Sequence, residues 1–316
     1  MNTKKLIVFL LWAFLPMVIV EVVMHLIGAS TAGLSEDSID TLAVIKGMVL
    51  SAGAMFTPLL AIILTQLIFK EPVLKNLDIS FKINRWWWLG WLLMPFIAFA
   101  VLGVTLLMPG AKWTPDSEMI LSVIQSLPEG IGVWGIMVIT VVSGLMSGIT
   151  INAVFALGEE IAWRGFLLKE FKGKKFLVVA LWIGIIWGLW HAPLILNGHN
   201  YPQHPVVGVF MMVPFCLLLT PILMYFRQKG GSVIVPAIMH GTFNAVVPLC
   251  AIVVTPTNDL LYGAAGLAGF IVLLIMDVFL YLYDKYINKE KVFATVLYNP
   301  NLTEIKHVQL KVVLKV

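Results

Sequence analysis

Charge is what this chain has little of. Of its 316 residues only 12% are Asp, Glu, Lys or Arg, against 60% hydrophobic, and the mean hydropathy of +0.95 excludes an ordinary soluble globule. Cysteine is scarcer still: Cys216 and Cys250 both fall in apolar runs, which rules out a disulfide framework and a cysteine-rich metal centre. No internal repeat and no Pro/Gly/Ser-rich linker marks off a soluble domain. Three protease signatures are missing as well. There is no His-Glu-x-x-His zinc motif, Leu145-Met146-Ser147-Gly148 lacks the first glycine of a Gly-x-Ser-Gly site, and Tyr283-Asp284 has no Gly-x-Gly-Asp partner.

What is present is a series of apolar runs. Those near 6–28, 42–69, 86–108, 134–160, 176–196, 205–226, 231–254 and 260–283 are each about as long as the roughly 20 helical residues that cross a bilayer core. They predict an all-α, polytopic membrane bundle of about eight transmembrane helices. The basic residues fit the same count, because cytoplasmic loops are rich in Lys and Arg. With the N-terminus cytoplasmic, all but Lys46 and Lys112 of the 21 Lys and Arg residues fall in inside segments, while Glu36, Asp37, Asp40, Asp116, Glu118, Glu129 and Asp259 lie in outer loops. Both termini are therefore expected inside. The net charge of +4 reports this orientation and not nucleic-acid binding; the most it supports is attraction to anionic lipid.

The expected domains are a membrane domain over 1–289 and a cytoplasmic tail over 290–316. Lys4 and Lys5 resemble the start of a signal peptide, but the long run that follows contains Glu21 and reads as a retained helix. In the tail, two partly alternating segments flank Asn299-Pro300-Asn301, the pattern of a small β-hairpin. The turn-rich loop 109–130 is a candidate for a short interfacial helix. Trp86, Trp87, Trp88 and Trp91 read as an interfacial aromatic belt.

Against this background the few intramembrane polar residues stand out, since an ionisable side chain deep in a bilayer costs at least a few kcal/mol. Glu159 and Glu160 end one run, with Arg164 four residues beyond the second; Trp187 and His191 are four apart in another, and His240 and Asn244 in a third. Residues four apart share a helix face, so Glu160 can pair with Arg164 while Glu159, turned by about 100°, meets a different neighbour. At about 1.5 Å per residue, Glu159 lies roughly 15 Å from Lys169, His240 roughly 15 Å from Gly230, and His191 about 24 Å from Lys175. If the three stripes meet, a carboxylate and an imidazole can activate a water, while an imidazole N–H and an amide can donate to an oxyanion. The same Glu159, His191 and His240 could instead hold zinc. Glu21 with His25, Asp277, Asn152, His199 and His204 read as structural hydrogen-bonding groups.

In order and spacing, Glu-Glu-x-x-x-Arg at 159–164, aromatic-x-x-x-His at 187–191 and His-x-x-x-Asn at 240–244 resemble the motifs of the CPBP family. That family contains intramembrane CAAX prenyl endopeptidases and the related Abi, or bacteriocin-processing, proteins. The resemblance implies an intramembrane endopeptidase whose active site opens to the cytoplasmic side, here of a prokaryotic plasma membrane. Glu159 matches the catalytic glutamate, assisted by His191; His240 and Asn244 match the oxyanion side; Glu160 and Arg164 take supporting roles. Trp187 stands where phenylalanine is common, a change expected to alter packing more than chemistry. The family has been termed metalloprotease, but a metal-free glutamate mechanism is favoured over zinc, and no other cofactor is implied. The implied partner is a membrane-associated protein or peptide, prenylated or not. The rival readings are a non-catalytic scaffold or bacteriocin-immunity protein of the same fold, and a proton-coupled transporter using Glu21, Glu159, Glu160 and Asp277.

Overall fold

The computed structural model describes residues 2–29, 41–81, 83–115, 121, 130–248 and 253–297. Apolar sequence of this kind becomes helix because a bilayer offers the backbone no hydrogen bonds, so each segment must satisfy its own. Helix α1 (Thr3–Leu26) opens on Asn2, whose side chain accepts from Lys5 N at 3.2 Å. Next come α2 (Thr41–Ala54) and α3 (Thr57–Ile68), split at Met55–Phe56 where Pro58 occupies the first turn of α3. Helix α4 (Arg85–Leu106) is capped by the Asn84 side chain. Helices α5 (Val133–Gly148) and α6 (Ile151–Glu160) are bent by 52° relative to one another, and α6 runs on through a π-helical stretch, Ile161–Leu167, to a last turn at Leu168–Glu170. Then follow α7 (Phe176–Trp190), the short α8 (Ala192–Leu196), α9 (Pro205–Gly230), α10 (Ile234–Val246) and α11 (Leu267–Tyr286).

This is an integral membrane protein with an all-α bundle. The segments occur where the apolar runs fall, but fewer are long enough to span than the eight expected. Among the described residues five helices, counting the α2–α3 stretch Ile45–Ile68 as one, can cross a membrane by length and composition, and the bent α5–α6 pair makes up to six. Helices α7 and α10 have 15 and 13 residues; at about 1.5 Å per residue they reach roughly 22 and 20 Å, short of a core of about 30 Å. The run 176–196 continues past the end of α7, but that helix stops at His191, with Pro193 beyond it.

Burial sorts the helices by position. Leu11, Leu15 and Ile19 of α1 and Ile275 and Phe279 of α11 are exposed, as lipid-facing side chains are, whereas every residue of α10 from Ile234 to Phe243 is buried. A helix apolar all round belongs in the middle. Helix α10 is packed against α4, α5, α6 and α9, and α7 lies along α9. Where helices cross, small residues let the backbones approach, the usual basis of association in lipid. A Cβ on Gly188 of α7 would sit 2.7 Å from Val213 Cα in α9, and one on Gly241 of α10 would sit 2.7 Å from the backbone at Asn152–Ala153 of α6.

The segments expected on the basic side meet at one end of the bundle. Lys5 Nζ bonds to Glu71 at 2.6 Å and Glu170 at 2.5 Å, Arg227 pairs with Asp78, and Lys229 reaches Glu290 at 3.1 Å. Of the expected hairpin, the first arm forms a 3₁₀ turn (Val292–Ala294) and a single antiparallel bridge from Val296 to Lys175, because Asp284 accepts from Val292 N and Phe293 N and folds the chain back. Its second arm lies outside the described residues, as does most of the 109–130 loop. The described start of that loop forms strand β1 (Lys112–Trp113), antiparallel to β2 (Val254–Thr255).

The tight crossing of α6 and α10 gives a direct prediction. Gly241→Ala forces two backbones apart and should destabilise by about 1–3 kcal/mol, the usual range for overpacking. Gly103→Ala, where a Cβ would meet nothing within 4 Å, should be neutral or slightly stabilising. Thermal unfolding of the two variants in one lipid checks this; equal midpoints would contradict it.

Candidate active site

Glu159 and Glu160 end α6 at the point where the helix widens into the π-helical stretch that carries Trp163 and Arg164. Such irregularities are uncommon and recur at functional sites. Both glutamates are buried, Glu159 at 2% exposure and Glu160 at 0%, and they have different partners. Glu160 Oε1 accepts from Arg164 Nη1 at 2.8 Å and from His240 Nδ1 at 3.0 Å. Arg164 is fully buried; its Nη2 donates to Thr220 Oγ1 at 3.1 Å and its guanidinium lies 4.2 Å from the Trp187 ring centroid. A buried cation is thus matched by a carboxylate, a hydroxyl and an aromatic face.

Glu159 has no such cation. Its Oε2 accepts from two indoles, Trp187 Nε1 at 2.7 Å and Trp163 Nε1 at 3.3 Å, and its Oε1 has no hydrogen bond among the described residues. One carboxylate oxygen is fixed while the other stays open. The indole of Trp187 also separates two imidazoles, with centroids 5.8 Å from His191 and 5.3 Å from His240. His191 Nδ1 lies 2.8 Å from the Trp187 carbonyl, which can only accept, so Nδ1 carries the proton and Nε2 of the neutral ring is left as an acceptor. By the same logic His240 Nδ1 donates to Glu160, and its Nε2 can donate only when the ring carries both protons.

All three stripes therefore reach one place, through Trp187. Glu159, Glu160, Arg164, Trp187, His191 and His240 are buried together. Asn244, one turn beyond His240, is exposed and has no hydrogen-bond partner among the described residues. Trp187, expected to alter packing more than chemistry, does more than pack: its N–H makes the shorter of the two bonds to Glu159, a bond phenylalanine cannot make. Trp163 was legible in principle, since it stands four residues after Glu159 as Arg164 does after Glu160; Thr220 carries no sequence signal. Elsewhere, Glu21 accepts from Asn197 at 2.5 Å, a structural hydrogen bond of the expected kind, and Oδ1 of Asp277 has no partner among the described residues. His204 pairs with Asp259 at 2.7 Å, and Asn152 donates to Gly241 O at 3.3 Å.

The side chains do not group around one metal position: among the described residues no three His, Cys, Asp or Glu side chains are placed to hold a metal ion.

A family model described as "Rce1-like: Type II CAAX prenyl endopeptidase Rce1-like" matches residues 134–246, a stretch that contains all the residues of this cluster. The match supports the CPBP family of CAAX proteases, and with it an intramembrane endopeptidase in general. No curated protein and no solved structure matches the chain.

The buried ion pair generates a stability prediction. Removing one partner of such a pair strands the other charge, at a cost of about 3–5 kcal/mol, whereas replacing both by apolar groups is often nearly neutral. Glu160→Leu should therefore lower the unfolding midpoint more than the double change Glu160→Leu with Arg164→Met. A double variant less stable than the single one would contradict this.

Proposed function

We propose that the chain is a CAAX-type intramembrane endopeptidase that hydrolyses a peptide bond by water activation at Glu159, without a metal ion. The observation that carries the reading is the double indole contact on one oxygen of Glu159, which leaves the other open in a cluster where Trp187 also packs against two imidazoles of different hydrogen-bonding polarity.

In this mechanism Glu159 Oε1 and His191 Nε2 both accept from a water molecule, and the carboxylate takes its proton as the oxygen attacks the scissile carbonyl. The oxyanion that forms is met by donors: Nε2–H of His240 when its ring is cationic, and the amide of Asn244. Glu160 serves His240 here, because its acceptance from Nδ1 stabilises the protonated ring, while Arg164 balances Glu160. The proton on Glu159 then passes to the leaving amine, so the carboxylate is regenerated as the C–N bond breaks. Trp187 positions Glu159 through its N–H and His191 through its carbonyl. The substrate is a membrane-associated protein or peptide, and the match to prenyl endopeptidases makes a prenylated CAAX sequence the first candidate. In the proposed topology the site opens toward the cytoplasmic side.

The test is cleavage of a farnesylated CAAX peptide and its unmodified counterpart by the purified protein in lipid. Glu159→Gln, which preserves shape, should abolish cleavage while leaving the unfolding midpoint near wild type. Trp187→Phe should lower kcat by up to about a hundredfold with little change in KM, the scale of loss when a reacting group is misplaced by about 1 Å. Cleavage by folded Glu159→Gln at the wild-type rate would overturn the assignment. Wild-type inactivity on a broad set of membrane-associated peptides would favour a scaffold or immunity role instead.

A further inference from the structure

A second site lies apart from this centre, at the basic end of the bundle. A cavity of about 350 Å³ is walled by the start of α1, the connection after α3 and the last turn of α6, and its charged lining is Lys5, Lys75, Lys169, Lys172, Glu71 and Glu170. Its volume lies within the range of ligand pockets, roughly 300–1,000 Å³. Lys169 and Glu170 are ten and eleven residues beyond Glu159 on one continuous helical path, about 15 Å along it, which keeps the two sites distinct.

Three observations point to an anionic ligand. First, both carboxylates of the lining are committed to one cation: Lys5 Nζ, on a side chain 6% exposed, bonds to Glu71 at 2.6 Å and Glu170 at 2.5 Å. Lys75, Lys169 and Lys172 are left without a carboxylate partner among the described residues, so the lining keeps an excess of positive charge. Second, the cavity wall is held in shape and is more than a scatter of surface lysines. The connection after α3 holds Lys70, Leu74 and Asn76 in the left-handed region, at φ 53°, 55° and 60°, which for non-glycine residues persists only where the surroundings enforce it. The enforcing contacts include Gln66 Oε1 accepting from Leu74 N at 2.8 Å and the buried Lys5 cluster. Third, the two helices that end at the cavity present exposed apolar side chains close by in sequence, Ile7 and Leu11 on α1 and Leu67 and Ile68 on α3. A ligand with an anionic head and an apolar tail matches both features.

We propose that this cavity binds the phosphate-bearing headgroup of an anionic phospholipid, with Lys75, Lys169 and Lys172 facing the phosphate. Basic pockets between membrane helices take such headgroups, and each lysine contributes favourably to binding. The site stands whether or not the protease reading holds.

The test is titration calorimetry of the purified full chain in detergent with dioctanoyl phosphatidylglycerol, dioctanoyl phosphatidylcholine and inorganic phosphate. Wild type should bind the anionic lipid and bind the zwitterionic one much more weakly. The triple variant Lys75→Gln, Lys169→Gln, Lys172→Gln should bind the anionic lipid about a hundredfold more weakly. A control triple of exposed lysines elsewhere, Lys112→Gln, Lys174→Gln, Lys289→Gln, should bind as wild type does. Binding of inorganic phosphate with matching affinity and the same lysine dependence would keep the phosphate site but make a free phosphate, and not a lipid, its ligand. Unchanged lipid affinity in the cavity triple, with its unfolding midpoint intact, would overturn the proposal, as would an equal loss in the control.

Discussion

The constraint on which the rest of the structure depends is the burial of two carboxylates and a guanidinium in an apolar bundle. Left without its partner, either Glu160 or Arg164 would be costly there. Glu160 and Arg164 neutralise one another, and the pair is tied to α9 through Thr220, to α10 through His240 and to α7 through the Trp187 ring. One ion pair thereby draws four helical segments to a single point. It also frees Glu159 from any cation, leaving a carboxylate held only by neutral indole donors.

That division of labour gives adjacent glutamates opposite characters. Glu160 is spent on structure and on His240, while Glu159 retains an open oxygen. The π-helical stretch begins directly after the glutamates and carries Trp163 and Arg164, each of which reaches back to the glutamate four residues before it. The close crossing at Gly241 brings α10 against α6 and so sets His240 within reach of Glu160.

Much of the site was legible because helical spacing is a strong constraint. The four-residue intervals gave the Glu160–Arg164 pair outright, and the same interval joins the Trp187 carbonyl to His191 Nδ1. Depth arithmetic served less well. It placed His191 deeper than Glu159 on the assumption of uninterrupted helices, but the link is made by Trp187, a turn earlier, and α7 ends at His191. The role of the Trp187 N–H was not legible, since nothing in spacing says which way an indole points. The number of long helices among the described residues is lower than the run count for a related reason: hydropathy measures apolar length, whereas prolines and chain reversals decide how much of it is helix. The Lys5 cluster joins residues 66 and 165 positions apart, and no local pattern foretells such a pairing.

In the proposed mechanism peptide bonds are cut between Glu159 and the two histidines. The most direct measurement places a photo-crosslinking amino acid beside the scissile bond of a farnesylated CAAX peptide and maps the adducts by mass spectrometry. Adducts are expected on the peptides that carry Trp187–His191 and His240–Asn244, with competition by the unlabelled substrate. Adducts confined to the lipid-facing sides of α1 and α11, with the cluster unlabelled, would contradict it.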